Sequence, residues 1–282
     1  MMSRTIDLIM LTRPVNSIMV GFAVIVGIAV SAPSQLLSIT AVLGFLTGFL
    51  ISSYSMIVND CYDLEVDRIN SPYRALPSGR IHLRTAAIFS GILLTLGLIS
   101  SIRIGPDTFI IALVFATIAW AYNFRGKRQM LLGNMMVAAS VAIPYIYGGA
   151  AVGMMGDRLL WFLALTSFLA ATGREIVKTI ADVKGDAVRQ VKSVARVYGS
   201  RIAAYVGAFF FLGAVASTVL PILMGEVGII FTILILIPDV LFIYASVRIV
   251  SDYSKLKAIQ IKKLALVGMI IGMVIFIIGG SY

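Results

Sequence analysis

Two short acidic clusters are the residues of this chain best suited to chemistry. The first reads Asn59-Asp60-Cys61-Tyr62-Asp63-Leu64-Glu65-Val66-Asp67. Asn59, Asp63 and Asp67 recur every four residues, so on a helix they share one face, a turn apart. The second, Asp182-Val183-Lys184-Gly185-Asp186, repeats the four-residue spacing. Like charges so placed repel one another unless a cation holds them together. A hard divalent ion suits the task, because Mg²⁺ accepts one or two carboxylates and leaves its other positions to water and phosphate oxygens. The metal-ligand candidates are therefore Asn59, Asp60, Asp63, Asp67, Asp182 and Asp186, with Asn59 or Asp60 alternatively capping or orienting its neighbours. Two facing Asp pairs can hold two or more Mg²⁺ ions around one diphosphate and neutralise it as a leaving group. A single D-x-x-x-D is usually just a solvated helix face; two of them, each followed by basic residues, point to metal binding.

A diphosphate also needs guanidinium or ammonium partners. Candidates are Arg13 with Asn16 one turn on, Arg68, Arg74 and Arg80 after the first cluster, and Lys127 in Tyr122-Asn123-Phe124-Arg125-Gly126-Lys127-Arg128. Arg174 and Lys178 precede the second cluster. The catalytic candidates are Asp63, Asp67, Asp182, Asp186, Lys178 and Tyr122, the last placed to present its ring or hydroxyl to a reacting carbon. Glu175 is read as orienting Lys178 or acting on an acceptor. His82 is expected at the surface and Cys61 in packing.

The elements that carry these residues are set by hydropathy. Of 282 residues, 60% are hydrophobic and 13% charged, too little polar surface for a soluble domain of this length. A bilayer core of ~30 Å needs roughly 17–25 apolar residues per helix, and a helix satisfies its backbone without water. Runs at 14–32, 36–57, 85–103, 107–122, 132–153, 159–177, 202–224, 228–247 and 264–280 give nine such spans, with eight or ten as alternatives. The fold class is all-α, polytopic. With the N-terminus cytoplasmic, 21 of the 23 Lys and Arg residues fall on the cytoplasmic side, Arg103 and Arg158 being opposite. That asymmetry predicts N-in, C-out. It also ascribes the net charge of +10 to topology rather than to nucleic acid, which is not an expected partner. The first span is expected to be retained, since Ser31-Ala32 makes a poor cleavage site.

Outer loops are short and the cytoplasmic ones, 58–84, 123–131, 178–201 and 248–263, are long and polar, so the chemistry gathers on one face. Span two and span six each lead into an acidic, then basic, segment. The chain therefore reads as one domain, 1–282, of two weakly similar halves, 14–122 and 132–247, plus a final helix, 264–280. A lone cysteine excludes an intramolecular disulfide. A transporter would carry ionisable residues near the midplane of several spans, and here Asp239 is the main one. A CDP-alcohol phosphotransferase would need an Asp- and Gly-rich signature that is absent.

The string NDCYDLEVDRINSPYRALPSGRI resembles the first signature of the UbiA superfamily of intramembrane prenyltransferases, N-D-x-x-D-x-x-x-D, and REIVKTIADVKGD resembles the second, D-x-x-x-D. Arg74-Ala75-Leu76-Pro77-Ser78-Gly79 stands where the family more often carries R-P-x-P-S-G. The resemblance implies a nine-helix bundle around a lipid-facing cavity capped by cytoplasmic loops, in a cell membrane, with Mg²⁺ as cofactor. It places Lys127 and Lys178 where the family contacts diphosphate or acceptor. The motif segments are most similar to the archaeal branch that adds geranylgeranyl, from geranylgeranyl diphosphate, to the sn-2 hydroxyl of geranylgeranylglyceryl phosphate; an aromatic or quinone-precursor acceptor is the alternative. No obligate protein partner is expected.

Overall fold

The structure, a computed structural model, describes residues 4–188 and 191–279, with side chains throughout except at 184–188. Among the described residues all regular elements are helical. They are α1 (Arg4–Leu11), α2 (Pro14–Ser31), α3 (Ile39–Tyr62), α4 (Leu64–Asn70), α5 (Leu83–Ile104), α6 (Pro106–Phe124), α7 (Met130–Ala151), α8 (Arg158–Val188), α9 (Val194–Leu223), α10 (Ile229–Leu234), α11 (Leu236–Ser251) and α12 (Lys255–Gly279). Nine helical segments among them are long and apolar enough to cross a bilayer, α10 and α11 together forming one. They coincide with the nine runs read from hydropathy.

At several ends the helices continue past the apolar stretch, although α3 starts at Ile39 rather than 36 and α7 ends at Ala151 rather than 153. Residues 178–188 extend α8, and α12 starts at Lys255 rather than 264. Bilayer thickness limits the apolar length, not the helical length, and Lys, Glu and Gln are good helix formers in water. The expected unbroken helix through Asn59, Asp63 and Asp67 is interrupted. Asp63 ends α3 with φ −93° and ψ 5°, and α4 starts at the next residue. The four-residue ladder nonetheless persists, because Asp63 N–H donates to Asn59 O (3.0 Å) and Asp67 N–H to Asp63 O (2.8 Å). In α9, Gly199 takes φ 86°, a conformation that costs glycine little, and turns the chain between its first turn and its spanning part.

Packing divides into three apolar clusters. One joins α2, α3, α5 and α6 through Val24, Ile28, Ile51, Ile57, Leu93 and Phe115, and takes in Ala75, Leu76 and Ile81 of the loop after α4. A second joins α8, α9, α11 and α12 through Ile176, Val177, Phe211, Phe242, Ile249 and Ile261. The third ties α2 and α7 to α8, α10 and α12 through Tyr145, Leu160, Leu163, Phe231 and Phe276. Lipid-tail surroundings give no hydrophobic gain for helix association, so close backbone contact matters more. The α2–α7 crossing shows it. A Cβ on Gly27 would lie 2.1 Å from Tyr145 O, and one on Gly148 would lie 2.2 Å from Val24 O. Bulky apolar residues such as Phe209, Leu223 and Val240 face outward, the surface lipid would cover.

Because the Gly148 contact is with backbone, which cannot yield as a side chain can, Gly148→Leu is expected to separate α2 from α7. The detergent-solubilised protein should lose about 1–3 kcal/mol or more of stability, read as a lowered unfolding temperature. An unshifted transition would mean the crossing contributes little.

Candidate active site

An up-and-down helical chain brings alternate helix ends to one face. The beginning of α2, the ends of α3 and α6, the beginning of α7, the end of α8 and the loop before α9 therefore meet. They enclose a cavity of about 660 Å³. Its polar wall carries Arg13, Asn16, Asn59, Asp63, Asp67, Arg74, Tyr122, Asn123, Lys127, Glu175, Lys178 and Asp182. Deeper toward the membrane, Val20, Met56, Phe115 and Val137 line it. The two acidic clusters, more than a hundred residues apart in sequence, thus face one chamber.

Of the first cluster, Asn59, Asp63 and Asp67 reach the cavity and Asp60 does not. Asp60 is 4% exposed. Its Oδ1 accepts from Arg13 at 2.6 Å, and Arg74 donates to both of its oxygens, at 3.0 and 2.8 Å. Arg74 reaches with its other nitrogen to Asp67 Oδ2 at 2.6 Å. One guanidinium fork therefore bridges two carboxylates, a geometry open to Arg and not to Lys. Asp63 is paired with Lys127 Nζ at 2.5 Å. Asn59 donates its amide to Asn123 Oδ1 at 2.8 Å, while Asn123 donates to Ala119 O at 2.9 Å.

Asp182 is exposed and lines the cavity. Asp186 lies in α8, but its side chain is outside the described ones. Glu175, 7% exposed, accepts from Arg174 at 2.7 Å and from Lys178 at 2.9 Å. Its carboxylate thus links the Arg174 and Lys178 side chains. Arg174 and Arg68 are not on the cavity wall: Arg174 is spent on Glu175, and Arg68 pairs with Glu65 on the exposed side of α4. Arg80 binds Asp7 of α1 bidentately, Nε at 2.9 Å and an Nη at 3.0 Å. Hydrogen bonding to Asp7 holds the Arg80 pKa above its ordinary value. Sequence reasoning missed Asn123 as a cavity residue. Its signal was an amide at the apolar-to-polar boundary of a span, directly after Tyr122.

Among the described residues, no three of His, Cys, Asp and Glu stand close enough to cage a metal by themselves. The cavity instead offers hard oxygen donors from two sides: Asn59, Asp63 and Asp67 on one and Asp182 on the other. That donor set fits Mg²⁺, which binds few protein carboxylates and completes its shell with water and phosphate oxygens.

The model of the UbiA prenyltransferase family matches residues 20–273, which include both clusters. The chain belongs to the UbiA prenyltransferase family. It is an intramembrane prenyltransferase and a multi-pass membrane protein. Similar curated relatives include the digeranylgeranylglyceryl phosphate synthase of Methanocaldococcus jannaschii, 34% identical over 269 residues, covering 95% of this chain and 94% of that one. The enzyme of that name from Archaeoglobus fulgidus is 34% identical over 275 residues, covering 95% and 93%. Among solved structures, one described as giving structural and mechanistic insights into digeranylgeranylglyceryl phosphate synthase in membranes superposes with a TM-score of 0.89. It is 33% identical and the match covers 99% of both chains. A UbiA homologue from Archaeoglobus fulgidus bound to GPP and Mg²⁺ shares the fold at a TM-score of 0.72 and 20% identity, over 96% of this chain and 99% of that one.

For this prenyltransferase the Arg74 bridge generates a prediction. Arg74→Ala leaves Asp67 unpaired and Asp60 with Arg13 alone, so kcat/KM is expected to fall roughly 10²-fold and stability by about 1–3 kcal/mol. Arg74→Lys should recover stability only in part, since one ammonium cannot reach both carboxylates. Steady-state kinetics beside thermal unfolding measure both, and full activity in Arg74→Lys would refute the bridging role.

Proposed function

We propose that the chain transfers a geranylgeranyl group from geranylgeranyl diphosphate to the sn-2 hydroxyl of geranylgeranylglyceryl phosphate, forming digeranylgeranylglyceryl phosphate for ether lipids of the archaeal kind. The observation that carries this reading is the single chamber. Carboxylates from both clusters and the cations Arg13, Arg74, Lys127 and Lys178 line one end, and an apolar pocket lies below. Relatives named for this synthase over nearly their full length support the acceptor.

Asn59, Asp63 and Asp67, with Asp182 and Asp186 opposite, would hold Mg²⁺. When bound, the metal supplies positive charge that neutralises the departing diphosphate. Arg13, Arg74, Lys127 and Lys178 bind the diphosphate oxygens, and Asp60, fixed by two arginines, positions Arg13 and Arg74 for that task. The C1–O bond of the donor breaks with its electron pair leaving on the diphosphate. The acceptor oxygen forms the new C1–O ether bond and gives up its proton to the diphosphate or to water. Val20, Met56, Phe115 and Val137 hold the allylic carbon chain and exclude water that would quench it to the alcohol. Tyr122, which lines the same cavity, would present its ring or hydroxyl to the reacting carbon.

The distribution of Lys and Arg supports a cytoplasmic N-terminus and an active site on the cytoplasmic side of the cell membrane. The separate apolar clusters of α2–α6 and α8–α12 support two similar halves, with the final helix packed into the second, and the third cluster, which joins them, supports one domain.

Mass spectrometry of products tests the reaction. Purified protein receives geranylgeranyl diphosphate and geranylgeranylglyceryl phosphate, with Mg²⁺ or with EDTA, beside an Asp63→Ala, Asp182→Ala double variant. Mg²⁺-dependent diether, reduced at least 10²-fold in the variant, is expected. Prenylation of a hydroxybenzoate in place of the glyceryl phosphate would replace the acceptor and keep the donor chemistry.

A further inference from the structure

Most polar groups facing the cavity have partners, but two buried atoms on one wall do not. Ser193 is 3% exposed, lines the cavity, and its hydroxyl has no hydrogen-bond partner. It stands at the N-cap position of α9, where a serine ordinarily accepts from a first-turn N–H, yet it makes no capping bond. Asn134 Nδ2, likewise buried and without a partner, lines the same cavity. A buried polar atom left without a partner costs about 1–3 kcal/mol, so such atoms on the wall of a functional chamber point to ligand binding.

The two residues are brought to one wall by the backbone. Met130 N–H donates to Lys192 O at 2.8 Å, which pins the residue before Ser193 to the first residue of α7. Asn134 lies one helical turn beyond Met130, on the same face of α7. Lys192 and Arg128 also line the cavity here. Neither segment of this wall, 126–134 or 191–193, contains an acidic residue. The unmet groups are a hydroxyl and an amide N–H₂, both able to donate, beside two cations. That set matches an anion rich in acceptor oxygens and lacks the carboxylates through which a metal-bound diphosphate would be held.

We propose that Ser193, Asn134 and Lys192 form a phosphate subsite, distinct from the carboxylate end of the cavity, that receives the phosphomonoester of the prenyl acceptor. The proposal rests on the reading of the chain as an enzyme with a phosphorylated lipid acceptor, and it names the residues that would select such an acceptor over its dephosphorylated alcohol.

The test uses full-length protein in detergent with Mg²⁺. It compares the wild type with Ser193→Ala, Asn134→Leu and Lys192→Gln, and with Ser193→Thr, which keeps the hydroxyl. Equilibrium binding is measured for geranylgeranylglyceryl phosphate and for geranylgeranylglycerol, and KM is measured for donor and acceptor separately. Expected is a wild-type preference of tenfold or more for the phosphorylated lipid, which collapses toward unity in the first three variants and survives in Ser193→Thr. Acceptor KM should rise tenfold or more while donor KM moves less than twofold. A preserved preference in the variants, or a rise confined to the donor KM, overturns the subsite. Phosphate-dependent binding lost in the variants, in a protein that forms no diether, would support the subsite and overturn the proposed reaction instead.

Discussion

A carboxylate at the edge of a bilayer sits where water is scarce and the dielectric is low, and it is tolerated only beside a cation. Much of the site's architecture answers that constraint. Asp60, Asp63 and Asp67 lie within eight residues of one another, and the chain supplies Arg13, Arg74 and Lys127 to meet them, from the N-cap of α2, the loop after α4 and the turn after α6. Removing a partner from such a group costs far more than its net worth when paired, because a buried charge is left behind. The pairing therefore fixes where three separate segments sit. The loop after α4 folds back so that Arg74 can span Asp60 and Asp67, and Arg80 of the same loop is tied to the buried Asp7 of α1. The short N-terminal helix is thereby tied to the loop that carries Arg74.

The same cations and anions that stabilise the resting chamber are the groups that, in the proposed reaction, a prenyl diphosphate and its metal would use. Three positive and three negative side chains pair off around the first cluster, so that end of the chamber carries little net charge of its own, while Arg128, Lys178 and Lys192 add positive charge elsewhere on its wall. A substrate bearing both phosphate and Mg²⁺ can exchange with these pairs at modest electrostatic cost. Apolar lining begins where the charges stop, at Met56 and Val20, one to two turns into the helices. The reacting carbon would thus sit at a boundary between a region that stabilises charge and one that excludes water, which is what a transfer through an electron-poor allylic carbon requires.

Far from this face, the bundle solves a different problem. Helices α2 and α7 touch backbone to backbone at Gly27 and Gly148. Asp239, near the middle of its span, is buried and accepts from Thr218 at 2.9 Å, so the ionisable group that stood apart in the apolar runs has a partner within the bundle.

The amino-acid sequence by itself determined the spans, the all-helical class and the face on which the chemistry gathers, because hydropathy over a span and the sidedness of Lys and Arg are properties of local composition. It also determined the four-residue ladder of Asn59, Asp63 and Asp67, since that spacing survives the break at Asp63 through continued i to i+4 hydrogen bonds. Spacing could not say that Asp60, one residue from Asn59, points the other way into two arginines, nor that Arg68 and Arg174 are spent on neighbouring glutamates. It could not pair Lys127 with Asp63 or Asn123 with Asn59, each 64 residues apart. Ser193 and Asn134 carry no pattern at all in the sequence. They acquire meaning only where folding buries them on a cavity wall without a partner, because hydrogen-bond satisfaction is decided by which helix ends meet.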